Sequence, residues 1–172
     1  MREYESFSIY ELHTVYPTAW KVELNPKSDR EEGDVAFKSP EKENFFVSWG
    51  PLEKAKKRYS SLEEHADDPF KRIKKNPNVR KIEFIQKTVI EVNSHKAIFA
   101  HAKVTLAKPS IISFIKEKTV EREVRCMHIH CEPTGRYFVM YGEMTSDKSS
   151  EYGEIFENMM KSFLCHEKKT SR

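Results

Sequence analysis

A chain of 172 residues, 38% hydrophobic and 33% charged, can bury about two-thirds of its unfolded surface, so its core needs no disulfide or metal staple. The longest runs without Asp, Glu, Lys or Arg, Leu12–Trp20 and Asn44–Leu52, have nine residues each, against the roughly 18 of a membrane-spanning helix, which excludes such a helix. Thirty basic against 27 acidic side chains leave a net charge of +3, too little for the whole-protein field to select a polyanion.

The high charge of both signs and the five glycines have a thermophile-like character. The N-terminus, MREYESFSIYELH, lacks the basic-then-apolar order of a secretory signal, and the expected location is cytoplasmic. Residues 1–165 read as a single domain and 166–172 as a polar tail. The cysteines are three, an odd number, and Cys126 and Cys131 fall on opposite faces of an extended run, so those two cannot pair and reduced thiols are expected.

In chain order, short strands come first: apolar residues from Phe7 to Trp49 lie in pieces cut by Pro17, Pro26, Gly33, Pro40 and Pro51. From Leu52 the period changes. Leu52, Ala55, Tyr59, Leu62, Ala66, Phe70 and Ile73 follow one face of a helix or of two consecutive helices, the second capped by Ser60 or Ser61 and stopped by Asn76 and Pro77. Residues 79–92 and 96–107 read as long strands joined by Asn93, Ser94 and His95, with Ile98, Ala100, Ala102, Val104 and Leu106 on one apolar face. Two more strands are expected at 120–131 and 137–144, and a further one at 111–115. Tyr152, Ile155, Phe156, Met159, Met160, Phe163 and Leu164 then mark an amphipathic helix behind a Ser149 or Ser150 cap. The fold class is α/β in the α+β sense, a mostly antiparallel sheet flanked by helices.

This order resembles the PsbP-like family, whose fold is shared with a eukaryotic Ran-binding nuclear-import factor. The matching pieces are Pro17-Thr-Ala-Trp20-Lys-Val, Phe37-Lys-Ser-Pro40, Gly135-Arg136-Tyr137-Phe138-Val139-Met140-Tyr141, and Phe156 to Phe163 with Met159, Met160, Lys161 and Ser162 between, within about residues 4–165. The resemblance implies an α/β/α sandwich and a non-enzymatic role in assembly or binding, with another protein as partner. The family's functional residues do not map onto a motif in this chain.

The residues themselves offer few places for chemistry. Gly33, Gly50, Gly135, Gly142 and Gly153 form neither GxGxxG nor GxxxxGK, and no carboxylate or histidine pairing suggests acid–base catalysis, so an enzyme reading has nothing to rest on. The constellation that stands out is Cys126-Met-His128-Ile-His130-Cys131. Cys126, His128 and His130 share a strand face, yet about 13 Å separates the outer two at about 3.3 Å per residue, so one ion at about 2.0 to 2.3 Å from its ligands cannot take all three. His128 and His130 would bind zinc or copper if a neighbouring strand added a ligand, with His101 the candidate. Otherwise they are half-buried sheet histidines satisfied by hydrogen bonds.

Two binding surfaces are also legible. Trp20, Trp49 and the Phe-rich strands read as core of a sheet covered on both faces, with a groove lined by Trp49 and Phe46 as the alternative partner site, and Lys71, Arg72, Lys74 and Lys75 gather at a helix end. With Lys54, Lys56, Lys57, Arg58, Arg80 and Lys81 the latter could follow an RNA backbone, but the pI of 8.6 is below the value of about 9 that marks a basic footprint, and nucleic acid is disfavoured. The reading that results is a binding or assembly module, with a metal-binding protein and an RNA-associated protein as alternatives.

Overall fold

A computed structural model of the protein describes residues 2–108 and 118–167. Strands β1 (Tyr4–Ile9) and β2 (Leu12–Pro17) form a separate antiparallel hairpin. Strands β3 (Lys21–Leu24), β4 (Gly33–Lys38), β5 (Asn44–Pro51), β6 (Val79–Val92), β7 (His95–Ala107), β8 (Thr119–Cys131) and β9 (Arg136–Thr145) make a seven-stranded antiparallel sheet in the order β3-β4-β5-β9-β8-β7-β6. Helices α1 (Leu52–Arg58) and α2 (Leu62–Lys74) follow β5, and α3 (Ser149–Ser162) follows β9. This is the expected α+β architecture; the strand anticipated at 111–115 falls outside the described residues.

Period-two alternation sorts the side chains to two faces. Met127, Ile129, Phe138 and Met140 join Phe156, Met159 and Phe163 and the β1–β2 hairpin in the larger core, while Ala100, Ala102, Val104, Val124 and Cys126 meet Phe70 of α2 in a smaller one. Cys126 and Cys131 therefore do lie on opposite faces. Phe156 is fully buried, a contribution on the order of 2–3 kcal/mol. Beneath it Gly142, the register partner of Phe45, makes room for two rings: a β-carbon there would come within 2.7 Å of Phe45 and 2.9 Å of Phe156.

The ends of the elements follow local chemistry. Asn93 and Ser94, at φ of 47° and 70°, form the two-residue turn between β6 and β7, so Val92 pairs with His95, which belongs to the strand and not to the turn. Ser61 caps α2 as expected. Neither Ser149 nor Ser150 caps α3. Its N-cap is Lys148, after a single 3-10 turn, and the Ser149 hydroxyl is drawn instead to the buried Glu123 carboxylate.

Candidate functional site

Alternation along β8 turns His128 and His130 toward α2. The helix meets them with His65, one turn past its cap. There Ser61 Oγ accepts the Glu64 N–H at 3.0 Å and the Glu64 carboxylate accepts the Ser60 N–H at 2.7 Å. Pro69, four residues after His65, has no N–H to give the His65 carbonyl. His65 Nδ1 lies 3.0 Å from His130 Nε2, and its ring stacks on Tyr59 with 4.5 Å between centroids and stands edge-on to His128 and Tyr137 at 5.0 Å each. Ser48, Asp68, Arg72 and Tyr141 help line the resulting cleft of about 370 Å³.

Electrostatics keep this cleft uncharged at its base. Burial, reinforced by the neighbouring His130, pulls His65 down to about 4. Burial likewise holds His128 well below the ordinary histidine value and lowers His130. Neutral imidazoles each offer one donor and one acceptor. His128 is 1% exposed and its Nδ1 has no hydrogen-bond partner among the described residues.

His101 does not join them. It pairs with Arg125 across the β7–β8 ladder, and both side chains point to the α3 face, where His101 Nε2 meets Glu123 Oε2 at 2.5 Å and Arg125 reaches Glu157. The sheet itself separates His101 from His128 and His130, because residues 98, 100, 102 and 104 of β7 already claim the α2 face. His65 takes the place next to His130 that His101 was expected to fill, and a lone histidine on a helix gave no sign of it. Among the described residues, the donor atoms that converge closely enough for one ion belong to another set, His95, Cys131, Cys165 and His166.

Trp49 is core, as its first reading has it, and the alternative groove shared with Phe46 does not form. Trp49 is 1% exposed, packed beside Tyr10 with its Nε1 donating to the Asp29 carbonyl at 2.9 Å, while Phe46 points to the other face and is 40% exposed. An even and an odd position of β5, such as 46 and 49, cannot share a face. Of the basic residues, Arg72 is held by Asp68, and Lys54, Lys56, Lys57 and Arg58 pair with Glu32, Glu132, Glu53 and Asp68. Lys75 is the exposed C-cap of α2. Lys71 and Lys74 line a groove of about 510 Å³ between α2 and β6, with Phe70, Val79, Ile82 and Phe84 as its apolar floor.

No family model and no curated protein matches the sequence. Solved structures do match. The cyanobacterial PsbP (CyanoP) of Synechocystis sp. PCC 6803 aligns over 95% of this chain and 93% of its own, with a TM-score of 0.57 and 13% identity. The Ran-binding protein Mog1p of Saccharomyces cerevisiae aligns over 95% and 96%, with a TM-score of 0.59 and 9% identity. The fold is PsbP-like and shared with Mog1p. A Pseudomonas aeruginosa protein of unknown function, described as a putative regulator, has a similar fold over 96% of this chain and 99% of its own, with a TM-score of 0.52 and 9% identity. At such identities the likeness extends to the PsbP-like fold and not to the residues of any site.

Proposed function

We propose that this PsbP-like chain is a non-enzymatic binding module for another protein, which docks an apolar, acid-flanked extended segment along β6. The observation that carries this reading is the placement of exposed apolar side chains. Phe84, Ile85 and Val89, at 49%, 55% and 55% exposure, all lie on β6, the last strand of the sheet, and no described strand pairs with its outer edge. An edge of this kind recruits an added strand through its free main-chain groups. The lysines beside it set the charge of the partner: Lys71 and Lys74, which form no salt bridge among the described residues, face the same groove as Phe84. The name of Mog1p, a Ran-binding protein, supports a binding role for the fold. An RNA partner fits less well, since Lys54, Lys56, Lys57 and Arg58 are already paired with carboxylates.

The test compares partner capture from the protein's own cells by the wild-type chain, by Phe84→Glu/Val89→Glu and by Phe46→Ser. The expected result is a protein held by wild type and by Phe46→Ser, lost from the double variant, and released as salt rises. Equal capture by all three would remove β6 from the interface, and self-association through β6, read by light scattering, would replace the foreign partner with a second copy.

A further inference from the structure

The larger core ends in a group of side chains that the binding module does not use. Ala97 of β7 pairs with Ile129 of β8, so His95, two residues earlier, and Cys131, two residues later, arrive at one end of the sheet. The chain leaving α3 delivers Cys165 and His166 to the same point. Its path is held there by paired main-chain hydrogen bonds of 2.9 and 2.8 Å between His13 and Leu164, by Asn93 Nδ2 donating to the Phe163 carbonyl at 2.5 Å, and by the buried Arg136 donating to the Cys165 carbonyl at 3.4 Å. The two sulfurs stand 2.9 Å apart and the two Nε2 atoms 3.0 Å apart. All four donor atoms lie within 4.8 Å of one another.

We infer that His95, Cys131, Cys165 and His166 are the four ligands of a structural zinc-class cation that ties the segment after α3 to the hairpin ends of β7 and β8. Two thiolates and two imidazoles are a typical tetrahedral zinc set, and four protein ligands leave no open position for catalysis. The geometry is close to what such an ion requires. Bonds of about 2.3 Å to sulfur and about 2.0 Å to nitrogen span a tetrahedron with edges of roughly 3.3 to 3.8 Å, so the sulfur pair and the nitrogen pair need open by less than about 1 Å. A hydrogen bond outside the ligand set already orients one of the rings. His166 Nδ1 lies 2.9 Å from the Glu167 carbonyl, and an Nδ1–H donated there leaves the Nε2 lone pair directed at the cluster.

Charge and burial agree with this assignment. Cys131 and Cys165 are 0% and 2% exposed, where two bare thiolates would be costly to desolvate. A divalent cation that expels both thiol protons leaves a site with no net charge. Its binding also sends the proton between the two rings to Nδ1 of His95, so that both Nε2 atoms can ligate. The site lies apart from His128 and His130, which face α2 on the other side of the sheet, and it is independent of the docking surface on β6.

The experiment measures metal on the tag-free full-length chain, purified under reducing, anaerobic conditions, and follows cobalt(II) addition by absorption spectroscopy. One zinc per chain is expected, with tetrahedral d–d bands and a thiolate-to-cobalt charge-transfer band. Cys165→Ser and His95→Ala should lose both. His95→Cys, which keeps a ligand, should recover both, separating loss of a ligand from loss of the fold. Cys126→Ser, a buried thiol outside the site, should behave as wild type. Three outcomes would overturn the assignment: a reduced chain that takes up no stoichiometric metal, an ion kept by Cys165→Ser but lost by His65→Gln/His128→Gln, or a Cys131–Cys165 disulfide in place of the ion.

Discussion

His65 Nδ1 and His130 Nε2, one on a helix and one on a strand, face each other at 3.0 Å beneath α2. Only one of the two nitrogens can carry the proton between them, so the hydrogen bond needs at least one of the rings to be neutral. Protonation of both sets two cations against each other in a half-buried cleft, with the buried His128 ring alongside.

That relationship makes the fold sensitive to acid. His65 titrates near 4 in the folded chain against an ordinary 6.5, and His128 and His130 are lowered as well. Between those values the unfolded chain binds more protons than the folded one, so stability rises with pH through this window and is lost as pH falls through it. Urea unfolding at steps from pH 7 to pH 4 should show this loss, and His65→Gln/His130→Gln should reduce it, leaving the share of His128. An unchanged slope in the double variant would assign the acid sensitivity to other groups.

The fate of Trp49 and Phe46 separates core from surface. Trp49→Ala should destabilise the protein by about 3–5 kcal/mol, the usual range for emptying a large aromatic site, because the ring is buried against Tyr10. Phe46→Ser, at 40% exposure, should cost less than about 1 kcal/mol. Denaturant midpoints of the two variants give the ordering directly, and comparable losses would contradict it.

Gly142 should resist enlargement. A methyl group at this position collides with the rings of Phe45 and Phe156, both fully buried. Gly142→Ala is expected to cost about 1–3 kcal/mol through overpacking. Pairing it with Phe45→Leu should return part of that loss, which a double-mutant cycle measures.

The cap of α2 has a smaller and more local effect. Ser61→Ala removes the acceptor of the Glu64 N–H and should lower stability by about 1 kcal/mol. Ser61→Asp should retain it. Because this turn carries His65 toward the sheet, amide exchange at residues 62–66 should rise in the alanine variant before exchange in β8 does.

Much of this architecture is legible in the residues, and the limits are equally specific. The three-and-four spacing from Leu52 to Ile73 marks helices, although it does not tell one helix from two; the break at Tyr59 comes from an extended C-cap and a new N-cap at Ser61. The α3 cap departs from local chemistry: Ser149 is a good capping residue, but Glu123, distant in sequence, takes its hydroxyl. The register of β8 against β9 sets Val139 opposite His128 and Tyr137 opposite His130, as the short turn between those strands implies.

By itself, then, the sequence determined, among the described residues, where the long strands and helices lie, how side chains alternate along β7 and β8, and where the tight turns fall. These properties depend on neighbours within a few residues. Tertiary structure alone decided that His101 and His128 occupy opposite sides of the sheet, that His65 meets His130, and that His95, Cys131, Cys165 and His166 converge. The physical reason is the same in each case. Periodicity assigns a side chain to one face of its own element, but what it meets there depends on which element packs across that face, and residues 34 to 71 positions apart leave no local pattern of their meeting.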